Sequence, residues 1–321
     1  MTRTWRQLFA ADSAAAVIAL IAVIVVFSVL NPRFLTPLNV NGVIVRASIS
    51  AIVGMGMTVV IAMRALDLSV GSIMGFSSII AALLLNDGAP IPLVVLASLA
   101  VGLALGLGNG LLITLLRLPS FVATLATLSM ILGTELMITH GRTVPIHSST
   151  LNTLVAGNIG VVPGAAVIAV LVFGIVWIVF YRLPFGRHVA AIGGDARAAV
   201  SAGINVNRVT LGVFMLVGMC AALAGLMTAA QLQNADSTIG VGAELTAIAT
   251  VVVGGTSLAG GRGNLFGTCC AALLLATIKT GLNVVNVSSL YEDLVFGSIL
   301  IIALMIDGRR RAVHGKGMIV V

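Results

Sequence analysis

The chain has 321 residues, of which 59% are hydrophobic and 8% charged, with a formal net charge of +7. A mean hydropathy of +1.18 excludes a soluble domain of this length. The basic surplus does not indicate a nucleic-acid partner: no basic cluster is interleaved with aromatics, and most arginines stand singly between apolar runs.

Those runs are about 20 residues long, enough to cross a hydrocarbon core of about 30 Å as a helix. The period-2 alternation of a membrane barrel is absent, so the expected fold is all-α, a polytopic transmembrane helical bundle. Ten segments are predicted, at 14–30, 42–63, 70–85, 91–116, 120–139, 162–181, 209–231, 244–258, 265–285 and 290–306. The permease domain is expected over 1–308, with a short basic tail over 309–321.

The first run follows Arg3 and Arg6 and precedes Asn31-Pro32-Arg33, not a small-x-small cleavage site, so it reads as a span and not as a signal peptide. Asp67, between the second and third spans, can cap the third helix or pair with Arg64; the coupling-ion reading is weaker at a span boundary. Gly102, Gly106 and Gly110 put a small-residue stripe on one face of the fourth span, for internal packing or a dimer contact.

In the fifth span Thr124, Thr127 and Glu135 recur at near-helical intervals and form a candidate solute path, although helix-to-helix bonding explains any one hydroxyl as well. Glu135, near the outer end, either snorkels to the surface or serves as a gate or substrate contact. Arg46 and Lys279 fall inside spans, Arg46 near an outer interface. The external loop from His140 to about Val161 is too short for a folded domain.

The loop 182–208 is the one sizeable internal connection. Leu183-Pro184-Phe185-Gly186-Arg187 reads as a turn, Gly193-Gly194 breaks the chain, and Asp195 caps a short helix over Ala196–Ala202 closed by Gly203. A short helix of small residues joined to two spans suits insertion into a partner's groove, and equally suits a solvated connection. The three cysteines lie in apolar spans without ligand-spaced neighbours, and no Walker lysine follows any glycine cluster, so neither a metal site nor ATP binding is expected on this chain.

With an inside start, 13 of the 17 Lys and Arg fall on the cytoplasmic side, so both termini are expected there. A weak repeat links Thr58-Val59-Val60, Leu66, Gly71 and Gly75 to Thr250-Val251-Val252, Leu258, Gly263 and Gly267 at a constant offset of 192. The short third and eighth segments that adjoin it suggest half-helices or re-entrant elements.

Gly186-Arg187, Ala191-Ile192-Gly193-Gly194-Asp195, Ala198-Ala199 and Ser201-Ala202-Gly203 together resemble the cytoplasmic signature of ribose-type (monosaccharide) ABC importer permeases. Gly54-Met55-Gly56-Met57-Thr58 with Asp67-Leu68-Ser69-Val70-Gly71 is similar to that family's second-to-third-span motif. Glu244-Leu245 and the run Val252 to Gly261, with Gly254-Gly255, are similar to its C-terminal signature. The likeness runs over roughly 30 to 308.

The resemblance implies a non-catalytic permease subunit in a bacterial inner membrane, paired with a second copy or a paralogue. It also implies ABC ATPase subunits that hold ATP and Mg2+, and a periplasmic or lipid-anchored sugar-binding protein. The solute is then a pentose or hexose, a polyol or autoinducer-2, and the helix at Asp195 to Ser201 becomes the coupling element. One departure stands out: Arg64-Ala65 occupies the place of the family's Gly-Gly pair, where non-glycine residues resist positive φ. The alternative is an ion-coupled secondary transporter, which predicts acids at mid-membrane on broken helices, whereas Asp67, Glu135, Glu244, Glu292 and Asp293 read as span-end residues.

Overall fold

A computed structural model describes residues 11–288 and, beyond them, 291, 294, 295, 297–299, 301 and 305. Most of the expected tenth span, with Glu292 and Asp293, and the whole 309–321 tail lie outside the described residues. The helices are α1 (Ala11–Leu30), α2 (Pro37–Ala62), α3 (Val70–Asn86), α4 (Ile91–Leu115), α5 (Ser120–Thr139) and α6 (Ser149–Ala156). They continue as α7 (Gly164–Trp177), α8 (Pro184–Gly194), α9 (Ala196–Ser201), α10 (Val206–Leu232), α11 (Ala243–Val253) and α12 (Leu265–Val284). A 3-10 turn, Pro32–Leu35, precedes α2, and a π-helical turn, Ile178–Arg182, ends α7.

Six described helices are long and apolar enough to cross a membrane: α2, α4, α5, α7 with its π turn, α10 and α12. The protein is an all-α polytopic membrane protein. α2, α10 and α12 form the buried centre, while α4, α5 and α7 turn most of their side chains outward. Their outward residues, such as Leu96, Met130, Met137, Val170 and Leu171, make an apolar surface suited to lipid.

The glycine stripe of α4 is an internal contact. Cβ atoms at Gly102 and Gly106 would overlap the carbonyls of Gly218 and Phe214 on α10, so the two backbones touch without intervening side chains. α3 and α11 are shorter than the spans around them. At 1.5 Å per residue α11 covers about 16 Å, half a bilayer, and ends at Val253 instead of 258 because Gly254-Gly255 breaks it, with Gly255 at φ +89°.

Irregular backbone from Gln233 to Gly242 stands in for the other half of that crossing. It starts at the end of the bundle opposite the 182–208 loop, at β4 (Asn234–Ala235), which pairs antiparallel with β1 (Val144–Pro145). It then descends along α3, where Gly240 and Gly71 meet backbone to backbone. The 140–163 connection is ordered by α6, capped by Ser148, and by a small hairpin of β2 (Asn158–Ile159) and β3 (Val162–Pro163).

Candidate functional site

The basic loop contains two helices. Pro184 occupies the first position of α8, where its missing N–H costs nothing. The expected turn at Leu183 to Arg187 is therefore a helix start, and Gly193-Gly194 are its last residues, not its break. α8 buries Gly186, Val189, Ile192 and Gly193, a helical stripe legible in the sequence but passed over as a glycine-rich connection.

The chain turns at Asp195, whose Oδ1 accepts from the amides of Arg197 and Ala198 at 2.8 and 3.1 Å and so caps α9. Gly203, at φ +80°, closes it, and the Ile204 amide returns to the Ala199 carbonyl at 3.1 Å. The expected capped helix is present. Ala199 points inward, while Arg187, Gly194, Asp195, Ala198, Ser201 and Gly203 are exposed, together with Val200, an apolar residue that sequence reasoning missed.

This unit rests on a junction of three segments. The Gly261 amide donates to the Ala62 carbonyl at the end of α2, 2.8 Å away. Gly193 packs against that same carbonyl so closely that a Cβ would overlap it, and the Cβ would also lie 2.7 Å from the Gly261 nitrogen. A Cβ at Gly260 would be 2.7 Å from the Gly193 carbonyl and 2.9 Å from the Arg64 side chain. Gly260, Gly261 and Arg64 all have positive φ, at 77°, 78° and 66°. The departure at Arg64 therefore leaves the left-handed turn in place, carried by a residue that strains to adopt it.

The loops entering the junction are hydrogen-bonded to the bundle. Asn264 caps α12 by accepting from the Gly267 amide at 2.9 Å and donates to the Gly254 carbonyl at 3.0 Å. Its Asn-x-x-Gly spacing before an apolar run signals an N-cap in sequence, yet it was not singled out. The Tyr181 hydroxyl of the π turn donates to the Gly263 carbonyl at 2.8 Å. Thr58 and Thr268 share a 2.8 Å hydrogen bond between α2 and α12. Most matched positions of the repeat fall on equivalent places, a helix end, the loop after it and the next helix, although Gly71 lies inside α3 and Gly263 two residues before α12.

On the other loop, the amides of Leu66 and Leu68 donate to Ser120 and Thr124 of α5, at 3.1 and 3.0 Å. Asp67 does not cap α3, which begins after Ser69 without a side-chain cap. Its Oδ1 accepts from the amide and hydroxyl of Ser69, at 2.8 and 2.6 Å, while its Oδ2 has no partner. Burial lifts its carboxyl to about 6, against the pull of the Ser69 hydroxyl and amide. A chain of bonds continues from Ser69 to Asn109 at 2.7 Å and from Asn109 to Thr127 at 2.7 Å.

Thr124 and Thr127 are thus spent on pinning this loop, and Thr124 is fully buried. Glu135 does not snorkel. It is 1% exposed and packed against Gly75 of α3, with Oε1 unpartnered. Gly71 sits one turn earlier on α3 and faces Glu244, which is half-buried in the first turn of α11. The three cysteines are free, and Cys220 lies beside Gly56 inside the bundle.

A membrane bundle in which the loops 63–69 and 254–264 lock onto a basic helical hairpin through glycines is the architecture of a membrane permease component. Residues 39–304 match the family described as the branched-chain amino acid transport system / permease component, and the chain belongs to it. It is similar to the ribose import permease RbsC of Bacillus subtilis, 38% identical over 298 residues, covering 92% of each chain. RbsC of Escherichia coli K12 is 36% identical over 92% of this chain and 93% of its own. The D-allose transport system permease AlsC of the same organism is 33% identical, over 89% and 88%. No solved structure matches.

Proposed function

We propose that this chain is the membrane-spanning, non-catalytic subunit of an ATP-driven importer, with the 182–208 loop in the cytoplasm. The family's description names branched-chain amino acids, but relatives matched over nearly their whole length are named for ribose and allose, which favours a monosaccharide as solute. An extracytoplasmic binding protein delivers it, a second permease copy or a paralogue completes the pore, and ATP and Mg2+ are held by a separate ATPase.

The observation that carries this reading is the Gly193–Ala62–Gly261 junction. α9, with exposed Arg197, Ala198 and Val200, is the face offered to the ATPase, and α8 is the lever that ends on both internal loops. Displacement of α9 therefore moves α2 and α12 together, because no side chain cushions the contact. Coupling requires the ATPase to hold the two conformations of this unit with unequal strength.

One observation favours the ion-coupled alternative: Glu135 is a buried acid beside the broken α11 crossing. Reconstitution separates the two. In proteoliposomes with the ATPase and the binding protein, uptake of labelled ribose should require ATP and persist after ion gradients are collapsed. Accumulation by the purified chain alone would overturn the proposal.

A further inference from the structure

Arg46 of α2 is a cation at the end of the bundle opposite the basic loop. That runs against the charge bias of the rest of the chain, and it coincides with a cavity. A space of about 520 Å3 lies between α2 and α12, and its lining includes Asn39, Gly42, Arg46, Thr280 and Asn283. No described residue lining it is acidic.

Thr280 puts an unpaired hydroxyl on the cavity wall. Thr268 and Thr277 on the same helix bond back to carbonyls four residues earlier, at 3.0 and 2.7 Å. Thr280 is only 8% exposed, and its Oγ1 has no partner. A buried hydroxyl left unpaired is costly, so a ligand that bonds it is favoured. Arg46 supplies a forked donor that matches a tetrahedral oxyanion, and Asn39 and Asn283 add amides.

Depth identifies the source of the anion. α2 has 26 residues, about 39 Å, and exceeds a hydrocarbon core of about 30 Å. Arg46 lies nine residues after Pro37, about 13 Å along the axis, and helical side chains lean toward the N-terminus. That lean carries the guanidinium several ångström back toward the headgroup layer. The lane is clear, because a Cβ at Gly42, one turn above, would meet nothing within 4 Å. Leu38, 82% exposed, and Val284 line the cavity and give it an apolar rim fit for acyl chains.

We propose that this cavity binds the phosphate of a membrane phospholipid, gripped by Arg46 and Thr280. The bound headgroup neutralises Arg46, and its acyl chains cover the apolar rim of the opening. A free phosphate shares the headgroup chemistry but gains nothing from that rim, so the lipid is the occupant.

The test uses the full chain, delipidated in detergent, titrated with phosphatidylglycerol, with diacylglycerol and with inorganic phosphate, and read by native mass spectrometry. Phosphatidylglycerol should bind, diacylglycerol and phosphate at least about tenfold more weakly, and Arg46→Gln should weaken the lipid about tenfold. Gly42→Leu fills the lane without removing the charge and should also weaken it, which keeps the test valid if Arg46→Gln misfolds. Arg33→Gln, outside the cavity, should bind as the unaltered chain does. Undiminished lipid binding by both Arg46→Gln and Gly42→Leu, or equal binding of diacylglycerol, overturns the proposal. Inorganic phosphate binding as tightly as the lipid overturns the lipid assignment.

Discussion

Gly193 abuts the Ala62 carbonyl so closely that no side chain fits between α8 and the end of α2, whereas Gly194, one residue on, has open space around its Cα. The pair therefore divides into a tight member and a tolerant one. Gly193→Ala forces backbone apart, at about 1–3 kcal/mol by analogy with overpacked cores, and should abolish ATP-dependent uptake while the chain still inserts. Gly194→Ala should leave uptake intact. Uptake assays on both variants decide the matter, and equal tolerance at the two positions would remove the junction from the coupling route.

Arg64 holds a left-handed turn at φ 66° that L-residues resist by about 1–2 kcal/mol. Glycine relieves that strain but gives the unfolded chain more freedom. Arg64→Gly should accordingly raise stability by about 0.5–1 kcal/mol, seen as a higher Tm in detergent. A lower Tm would show that the arginine side chain contributes more than its backbone costs.

Asp67 makes stability depend on pH. Its carboxyl rises from the usual 3.8 to about 6 through burial, so across that interval the folded chain binds more protons than the unfolded one. Stability must then fall as pH rises from about 4 to about 6, by an amount of the order of 2 kcal/mol. Tm should be higher at pH 5 than at pH 7.5, and Asp67→Asn should shrink that difference. An unchanged difference in the variant would locate the effect elsewhere.

The membrane class, most span positions and the α9 cap were legible because they rest on local signals: long apolar runs, Asp195 before an alanine-rich helix, Gly203 after it. α8 was missed because glycines at both ends disguised a stripe of Gly186, Val189, Ile192 and Gly193. The partners of Thr124 and Thr127 were beyond reach for a different reason. A hydroxyl on one helix carries no sign of whether it faces a solute or, as here, the Leu68 amide and Asn109. Two glycine pairs distant in sequence, Gly193-Gly194 and Gly260-Gly261, could be read separately, but their convergence on the Ala62 carbonyl is a property of the packed bundle alone.

Glu135 illustrates the same limit and supplies a sharp test of the packing of α3 against α5 and the 233–242 backbone. An ideal Cβ on Gly75 would lie 2.8 Å from Glu135 Oε1 and 3.0 Å from the Ile239 carbonyl, so α3, α5 and the 233–242 backbone meet at one point. Gly75→Ala should destabilise the chain by about 1–3 kcal/mol, as overpacking does. Glu135→Gln keeps the shape of the side chain, so its Tm should stay close to that of the unaltered chain. Glu135→Ala vacates the space a Cβ on Gly75 would need. The double variant Gly75→Ala/Glu135→Ala should then be more stable than the sum of the two single losses, with a coupling of about 1 kcal/mol. Strict additivity in that cycle would mean that the two residues do not share a wall.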